Sequence, residues 1–389
     1  MMIRLAGLPT ERKLLALSAM RSHTPPGDVS AVVEALAQFG RDTGAQVTLD
    51  SDSAADANCL LRYDFGPGKT LAFNTHMDVN NPQGQQWRFA PNEPFIEGDR
   101  LYGLGSCDAK GSLAAMLSAI ESLLASARPN AGTLVLTAVM GEEAGGLGTL
   151  RLTKNGFRAD AAVVGEPTEL AVCTVHKGTY MRRLTFEGRA VHSARSWEGV
   201  NAIEHAAAFC TAYAQYAQTL LRTPHPILGP ANASVTVISG GTRQNTIPEQ
   251  CSLICDRRLL PGETSDKADA ELDALLADLR ARISGLRVSV ETIVSTVPSE
   301  TPTEADIVRD MLAAAEHATG RRAAPSGFNG GCDMSKLVTI AHIPTVIFGP
   351  GSMEQAHAPD EFVSLPQVRC AERAYANVAR RFLGKGEFL

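Results

Sequence analysis

Two kinds of hydrophobic pattern occur along the chain, and their order constrains the fold more than any other feature. Continuous apolar runs, typical of strands buried on both faces, occur in the first half and again near the end, at 69–75, 133–140, 161–164 and 343–348. Apolar residues at three- and four-residue steps predict a helix at 112–124. The pattern predicts an α/β fold in which helices cover both faces of a mostly parallel sheet, and both ends of the chain contribute to that sheet.

The pattern in the middle of the chain is β-α-β-β-α-β. Alternating strands are predicted at 180–186, 234–238, 250–256 and 286–293, and helices at 200–218 and 267–283. This is the order of a ferredoxin-like unit. We therefore predict an inserted domain at 177–298 and a catalytic domain made of 1–176 and 299–389. Two domains suit a chain of 389 residues, because a single core usually stops growing at ~250–300.

Composition excludes several classes of protein. No apolar run approaches the ~18 residues of a membrane span, and Glu11, Arg12 and Lys13 interrupt any secretory pattern, so we expect a cytoplasmic protein without a membrane role. The net charge of -6 and scattered basic residues disfavour a nucleic-acid partner. Eight cysteines without a CxxC pair indicate reduced thiols, and Cys251 and Cys255 would pack on one side of a strand.

Five segments place a histidine or carboxylate at the end of a predicted strand or the start of a helix or loop. In open α/β sheets such positions converge outside the carboxyl ends of the strands. Each has a simpler explanation alone: a hydrogen-bonded histidine, a helix N-cap or a solvated acidic turn. Jointly they supply two histidines, three carboxylates and a spare glutamate, which suits two divalent ions sharing one carboxylate. The residues are His76, Asp108, Glu142, Glu143, Glu166 and His357.

The adjacent Glu142 and Glu143 are the strongest local signal. Neighbouring carboxylates raise each other's pKa unless a cation stands nearby. The pair suggests one glutamate on a metal and the other moving protons from metal-bound water. Asp78, two residues after His76, is placed to hold the other ring nitrogen of that histidine.

These segments, in this order, resemble the M20 metallopeptidase family, and within it the acetylornithine deacetylase and succinyl-diaminopimelate desuccinylase branch. The motifs are HxD, YGxGxxDxKG, GEExGGxGT, GEPT and GPGSxxQAHxPDE. The resemblance implies a di-metal enzyme in which His76 and Glu166 hold one ion, Glu143 and His357 hold the other, and Asp108 bridges them. It makes Glu142 the catalytic base.

The resemblance also implies residues that complete the site from the inserted domain. His192 matches a histidine that reaches the active site of a partner subunit, which implies a homodimer and a dimerisation role for the insert. Asn245 and Arg258 match substrate-binding positions, and Arg258 has the donor geometry to hold a carboxylate. Gly330 and Gly331 match a backbone segment that lines the pocket.

The predicted activity is hydrolysis of an N-acyl-L-amino acid, as in acetylornithine deacetylase, with two zinc ions or with cobalt or manganese. A dipeptidase, a carboxypeptidase, an N-succinyl-diaminopimelate desuccinylase and a non-catalytic metal-binding homologue remain alternatives. A cysteine hydrolase using Cys332 with His342 or His357 is remote. Thr75, Ala109 and an extra residue in HMDVNNP depart from the family pattern. These departures weaken the transfer of substrate identity, which could also be a short peptide.

Overall fold

The computed structural model describes residues 3–126 and 128–384. They form two compact units. The first comprises the described residues up to Thr174, Glu300–Phe328 and those from Cys332 onward, and the second comprises Val175–Ser299 and Asn329–Gly331. No helix in these described ranges is long and apolar enough to cross a membrane.

The first unit begins with alternating strands and helices. Its helices up to Thr174 are α1 (Thr10–Ala19), α2 (Ser30–Thr43), α3 (Lys110–Ser126) and α4 (Leu147–Lys154). Its strands there are β1 (His23–Thr24), β2 (Gln46–Leu49), β3 (Cys59–Asp64), β4 (Thr70–His76), β5 (Val79–Asn80), β6 (Phe95–Glu97), β7 (Arg100–Tyr102), β8 (Thr133–Val139), β9 (Ala161–Val164) and β10 (Val172–His176), the last of which runs into the second unit.

The second unit has the predicted β-α-β-β-α-β order. Its elements are β11 (Gly178–Glu187), a short 3-10 helix (Ser193–Glu198), α5 (Ala202–Leu220), β12 (Asn232–Gly240), β13 (Gln250–Leu259), α6 (Ser265–Arg282) and β14 (Arg287–Ser295). The strands form an antiparallel sheet in the order β12-β13-β11-β14. Cys251 and Cys255 are buried in its core beside Phe209, as their spacing predicted.

The chain then returns to the first unit. The remaining elements are β15 (Ser299–Glu300), α7 (Asp306–Thr319), β16 (Pro325–Phe328), α8 (Met334–Thr339), β17 (Thr345–Ile347), β18 (Phe362–Ser364) and α9 (Leu365–Gly384). The main sheet has the order β15-β10-β17-β9-β4-β8-β3-β2, with β16 paired to β10. Strand β17 therefore lies between β10 and β9 in the sheet, although most of the second unit separates it from both strands in sequence.

The α/β class is confirmed, but the sheet is mixed rather than mostly parallel. The central strands β17, β9, β4 and β8 are parallel, whereas β10, β3 and β2 pair antiparallel to their neighbours. The continuous apolar runs correspond to the parallel strands β4, β8, β9 and β17, whereas the antiparallel strands β10, β3 and β2 lie outside those runs.

Helices cover both faces of this sheet. Along β4, Leu71 and Phe73 pack into the core formed with α3 and α9, while Ala72 points to the opposite core beside Leu337 of α8. The parallel register pairs His76 with Val139 and Asn74 with Val164. The carboxyl ends of β4, β8 and β9 thus lie at one edge of the sheet, and the candidate ligands follow them.

Candidate metal centre

The structure brings the five predicted metal ligands together in two groups. His76, Asp108 and Glu166 offer ligand atoms that all lie within 4.8 Å of one another, and so do Asp108, Glu143 and His357. Asp108 belongs to both groups. That is the position of a ligand that bridges two ions.

The first group stands at the end of β4. Nε2 of His76 lies 3.1 Å from Oδ1 of Asp108 and 4.0 Å from Oε1 of Glu166. Nδ1 of His76 donates to the backbone oxygen of Asp78 at 2.8 Å, which leaves Nε2 to face the carboxylates. Burial opposes a charge on this ring, but Asp108 and Glu166 hold the pKa of His76 well above its usual value. The surroundings therefore favour a positive charge at this position.

The second group includes a histidine outside regular structure. Nε2 of His357 lies 2.9 Å from Oε2 of Glu143 and 3.5 Å from Oδ2 of Asp108. The hydrogen bond to Glu143 raises the pKa of His357 to about 9. The backbone of His357 is left-handed, with φ of 60°, a conformation that residues other than glycine rarely adopt. Such conformations persist where the surroundings impose them, often at functional sites.

Asp78 lies elsewhere in this network than the sequence suggested. Its carboxylate, expected on the ring of His76, stands 3.7 Å from Nδ1. It instead accepts from the backbone N–H groups of Glu142 at 3.1 Å and Glu143 at 3.2 Å. Asp78 is fully buried. It therefore fixes the backbone of the turn that carries both glutamates, and its own carbonyl fixes the ring of His76.

Glu142 lies beside the ligand groups and belongs to neither. Burial raises the pKa of Glu142 to about 8, and the nearby Asp333 and Glu143 add to the rise. A carboxyl group with a pKa near neutrality can both accept and return a proton. Its position outside the ligand groups leaves it free for that task.

The donor set fits a pair of divalent cations. Burial raises the pKa of Glu166 well above its usual value, and it also raises that of Glu143. Oε1 of Glu143 is buried without a hydrogen-bond partner in the described part of the chain. Buried carboxylates without compensating charge are costly, and a metal ion supplies that charge. Imidazole and carboxylate donors are those that zinc, cobalt and manganese accept.

Two supporting residues were not predicted. Glu361 is buried, and its carboxylate accepts from the N–H groups of Gly105 (2.7 Å), Cys107 (2.7 Å) and Asp108 (3.0 Å), so it shapes the turn that presents Asp108. Burial raises the pKa of Glu361 to about 8. In the sequence, only the position of Glu361 in the terminal PDE motif indicated a role for this residue. Asp333 accepts from a buried threonine hydroxyl at 2.7 Å and pairs with Lys336 at 3.3 Å.

His192 and Asn245 are neighbours within the second unit. Nδ1 of His192 accepts from the N–H of Ala194 at 3.1 Å, so the neutral ring carries its proton on Nε2. Nε2 lies 3.4 Å from Nδ2 of Asn245, and because both nitrogens then carry hydrogen, this contact is not a hydrogen bond. His192 is exposed. The ring thus presents a donor to its surroundings.

Arg258 and Gly331 are also placed together in the second unit. Arg258 forms a two-point ion pair with Asp256, at 2.9 Å for each contact, and donates to the hydroxyl of Thr179 at 3.0 Å. A Cβ atom on Gly331 would lie 3.7 Å from that same hydroxyl. Gly330 precedes it in a bend. Arg258 thus holds a carboxylate of its own chain in the geometry expected for a substrate.

The environment of Cys332 argues against a cysteine hydrolase. The side chain is 3% exposed, and burial holds the pKa of its thiol well above the usual value. Nucleophilic cysteines need the opposite shift. Nε2 of His357, one of its proposed partners, faces Glu143 and Asp108.

Comparisons with known proteins agree with this geometry. A model of peptidase family M20/M25/M40 matches residues 72–381. Acetylornithine deacetylase of Proteus mirabilis (strain HI4320) is 29% identical over 380 residues, 95% of either chain. The same enzyme of Vibrio parahaemolyticus is 29% identical over 357 residues, 90% of this chain and 92% of the relative.

Solved structures show the same fold. An M20 family metallo-carboxypeptidase from Sulfolobus solfataricus matches with a TM-score of 0.81 at 18% identity, over 96% of this chain and 99% of that one. A dinuclear metal binding peptidase of family M20 from Bacillus subtilis matches with a TM-score of 0.71 at 13% identity, over 96% and 97%.

Proposed function

The chain belongs to peptidase family M20/M25/M40, and from that premise we propose that it is a two-metal amidohydrolase that cleaves the amide bond of an N-acyl-L-amino acid. The observation that carries the proposal is the pair of ligand groups sharing Asp108, with Glu142 beside them and outside both. An acetyl group is the preferred acyl group, because relatives named acetylornithine deacetylase match along almost the whole chain.

His76, Asp108 and Glu166 would hold one divalent ion, and Asp108, Glu143 and His357 the other. Zinc is the first choice, and cobalt and manganese are the alternatives. When bound, such ions supply Lewis acidity that brings the pKa of water toward neutrality and polarises a carbonyl group.

Glu142 takes the proton of the attacking water. The hydroxyl oxygen bonds to the acyl carbon, the C–N bond breaks, and Glu142 returns the proton to the leaving amine. A carboxylic acid and a free amino acid result. The buried, raised-pKa environment of Glu142 suits both transfers, and Asp78 keeps the Glu142 backbone in place.

Arg258 would bind the α-carboxylate of the substrate in place of the carboxylate of Asp256. His192, with its proton on Nε2, would donate to the developing oxyanion, and Asn245 beside it would bind the substrate. Gly330 and Gly331 would leave room for substrate beside them. We assign His192 to the site of a partner subunit, so the active form is a homodimer.

An exposed edge of the second unit supports dimerisation. Strand β12 is the outer strand of its sheet, and Val237 and Ile238 on it are 50% and 52% exposed. An edge strand offers unpaired backbone groups that a second copy can cover. All eight cysteines are free thiols, which suits the reducing cytoplasm, the compartment that we propose.

The test combines metal content with a substrate panel. The metal-stripped protein should be inactive, regain activity with zinc or cobalt, and bind two ions per chain. Among N-acetyl, N-succinyl and N-carbamoyl amino acids and dipeptides, the N-acetyl compounds should be hydrolysed fastest. A preference for dipeptides would favour the peptidase alternatives, and a preference for N-succinyl compounds would favour the desuccinylase. Metal binding without turnover of any member would favour the non-catalytic homologue.

A further inference from the structure

One segment beside the second ligand group has no role in the proposed reaction. It is the 85–88 strap, residues 85–88 (QQWR), which follows the HMDVNNP segment where an extra residue departs from the family pattern. Gln85 lines a small cavity together with Asp108, Glu143 and His357. The strap is thus adjacent to one ligand group.

The side chain of Gln85 is hydrogen-bonded at both ends of its amide. Nε2 donates to the backbone oxygen of His357 at 2.9 Å. Oε1 accepts from the indole nitrogen of Trp87 at 2.9 Å. The contact with Trp87 orients the amide so that its donor faces His357. These bonds engage both ends of the amide, which favours a role toward His357 over one toward substrate.

The strap also holds the segment that follows His357. The backbone N–H of Arg88 donates to Oδ1 of Asp360 at 2.8 Å, and the guanidinium of Arg88 pairs with Oδ2. His357 and Asp360 both have left-handed backbones, with φ of 60° and 58°. Residues 353–361 form turns and no helix or strand. Bonds from outside the segment therefore add to those within it, such as the bond from the N–H of Ala358 to the carbonyl of Gln355, in maintaining its conformation.

Aromatic packing anchors the strap in turn. The ring of Trp87 meets that of Phe89 edge-on at 5.6 Å, and Phe89 contacts Phe95 at 5.0 Å and Tyr102 at 5.9 Å. Such pairs contribute about 0.5–1.5 kcal/mol each beyond their buried area. Trp87 is therefore a fixed support for Gln85.

The two metal-ligating histidines are held in different ways. His76 is 1% exposed, belongs to β4, and has its ring fixed by a carbonyl two residues away. The side chain of His357 is 50% exposed and lies in the turn segment. Its ring contacts Glu143, and Gln85 donates to its backbone oxygen.

We propose that Gln85 is a positioning residue for His357, which sets the metal affinity of the group Asp108, Glu143 and His357 without affecting the group at His76. This inference rests on the proposed function, because it takes the two groups as metal sites. Outer partners of metal ligands typically change affinity by about 10–100-fold.

The experiment measures zinc binding to the metal-free full-length chain by competition with a chelating dye. Gln85→Met keeps the length of the side chain and removes both hydrogen bonds. One of the two zinc affinities should fall at least about tenfold, the other should remain within about twofold, and the melting temperature of the metal-free protein should not change. Gln85→Asn, shorter by one methylene, is the second variant should the first fail to fold. The exposed Gln86→Met is the matched control and should match the wild type.

A double-mutant cycle identifies the site affected. His357→Gln removes the ligand, and adding Gln85→Met to it should leave the remaining zinc affinity unchanged. Unaltered binding by Gln85→Met, or equal weakening of both ions, would overturn the inference. Wild-type protein that binds fewer than two ions would instead refute the proposed two-metal function, so the two failures are distinguishable.

Discussion

Replacing Glu142 by glutamine tests whether the two adjacent glutamates have different roles, Glu142 as the proton acceptor and Glu143 as a metal ligand. Glutamine keeps the shape of the side chain and the backbone N–H that binds Asp78, but it cannot accept the proton. Glu142 belongs to neither ligand group, so the variant should keep two metal ions per chain. The variant should therefore lose activity, and it should lose it only in the chemical step.

The size of that loss follows from the role. General base catalysis contributes typically about 10²–10⁴-fold, which corresponds to about 3–5 kcal/mol of transition-state stabilisation. Glu142 serves twice, as base and then as acid, so we expect the upper half of that range. KM should change less than threefold, because no substrate contact is assigned to this residue.

Glu143→Gln is the matched comparison. Its carboxylate lies 2.9 Å from His357 in the second ligand group, so its replacement should remove one of the two ions as well as activity. Single-turnover hydrolysis and metal analysis on the same samples distinguish the variants. Full activity in Glu142→Gln, or loss of an ion from it, would refute the assignment.

Three further substitutions test other parts of the structure. Arg258→Lys should raise KM at least about tenfold with little change in kcat, because lysine lacks the two-point donor geometry, as steady-state kinetics will show. Gly146→Ala should cost about 1–3 kcal/mol in urea unfolding, because φ is +76° and a Cβ would collide with a lysine side chain. Asp269→Asn should cost about 1 kcal/mol, since it removes the charge partner of the buried Arg182 but Asp269 is 44% exposed and solvent screens the pair, while the exposed Asp273→Asn should be neutral. Despite burial, Arg182 keeps the pKa of Asp269 below its ordinary value of 3.8, so this stability should persist above about pH 4 and disappear as the pH falls below it.

There is a physical reason why the sequence predicted many of the helices and strands and the convergence of the candidate ligands. Hydrophobic spacing records burial directly, so the strand expected at 161–164 is Ala161–Val164, and the helix expected at 112–124 is Lys110–Ser126. Ligands at strand ends could be expected to converge because parallel strands end at one edge. His76 and Glu166 meet in this way.

Partners set by tertiary contact could not be predicted. Gln85 and His357 are 272 positions apart, and no local pattern in either segment indicates their hydrogen bond. The same holds for Asp78. Its position two residues after His76 suggested a contact with the histidine ring, but its carboxylate accepts from the backbone N–H groups of Glu142 and Glu143. The antiparallel strands β10, β3 and β2 were also missed, because they lie outside the continuous apolar runs from which the sheet was predicted.

The position of β17 between β9 and β10 has a consequence for synthesis of the chain. Thr345 pairs with Ala162, so one side of β9 stays open until the ribosome has made the whole second unit. At ~5–20 residues per second, that interval is about 10–40 s. An apolar strand with a free edge is prone to aggregate during such a wait. Because His357 is made later still, the candidate metal group of Asp108, Glu143 and His357 is the last to be completed.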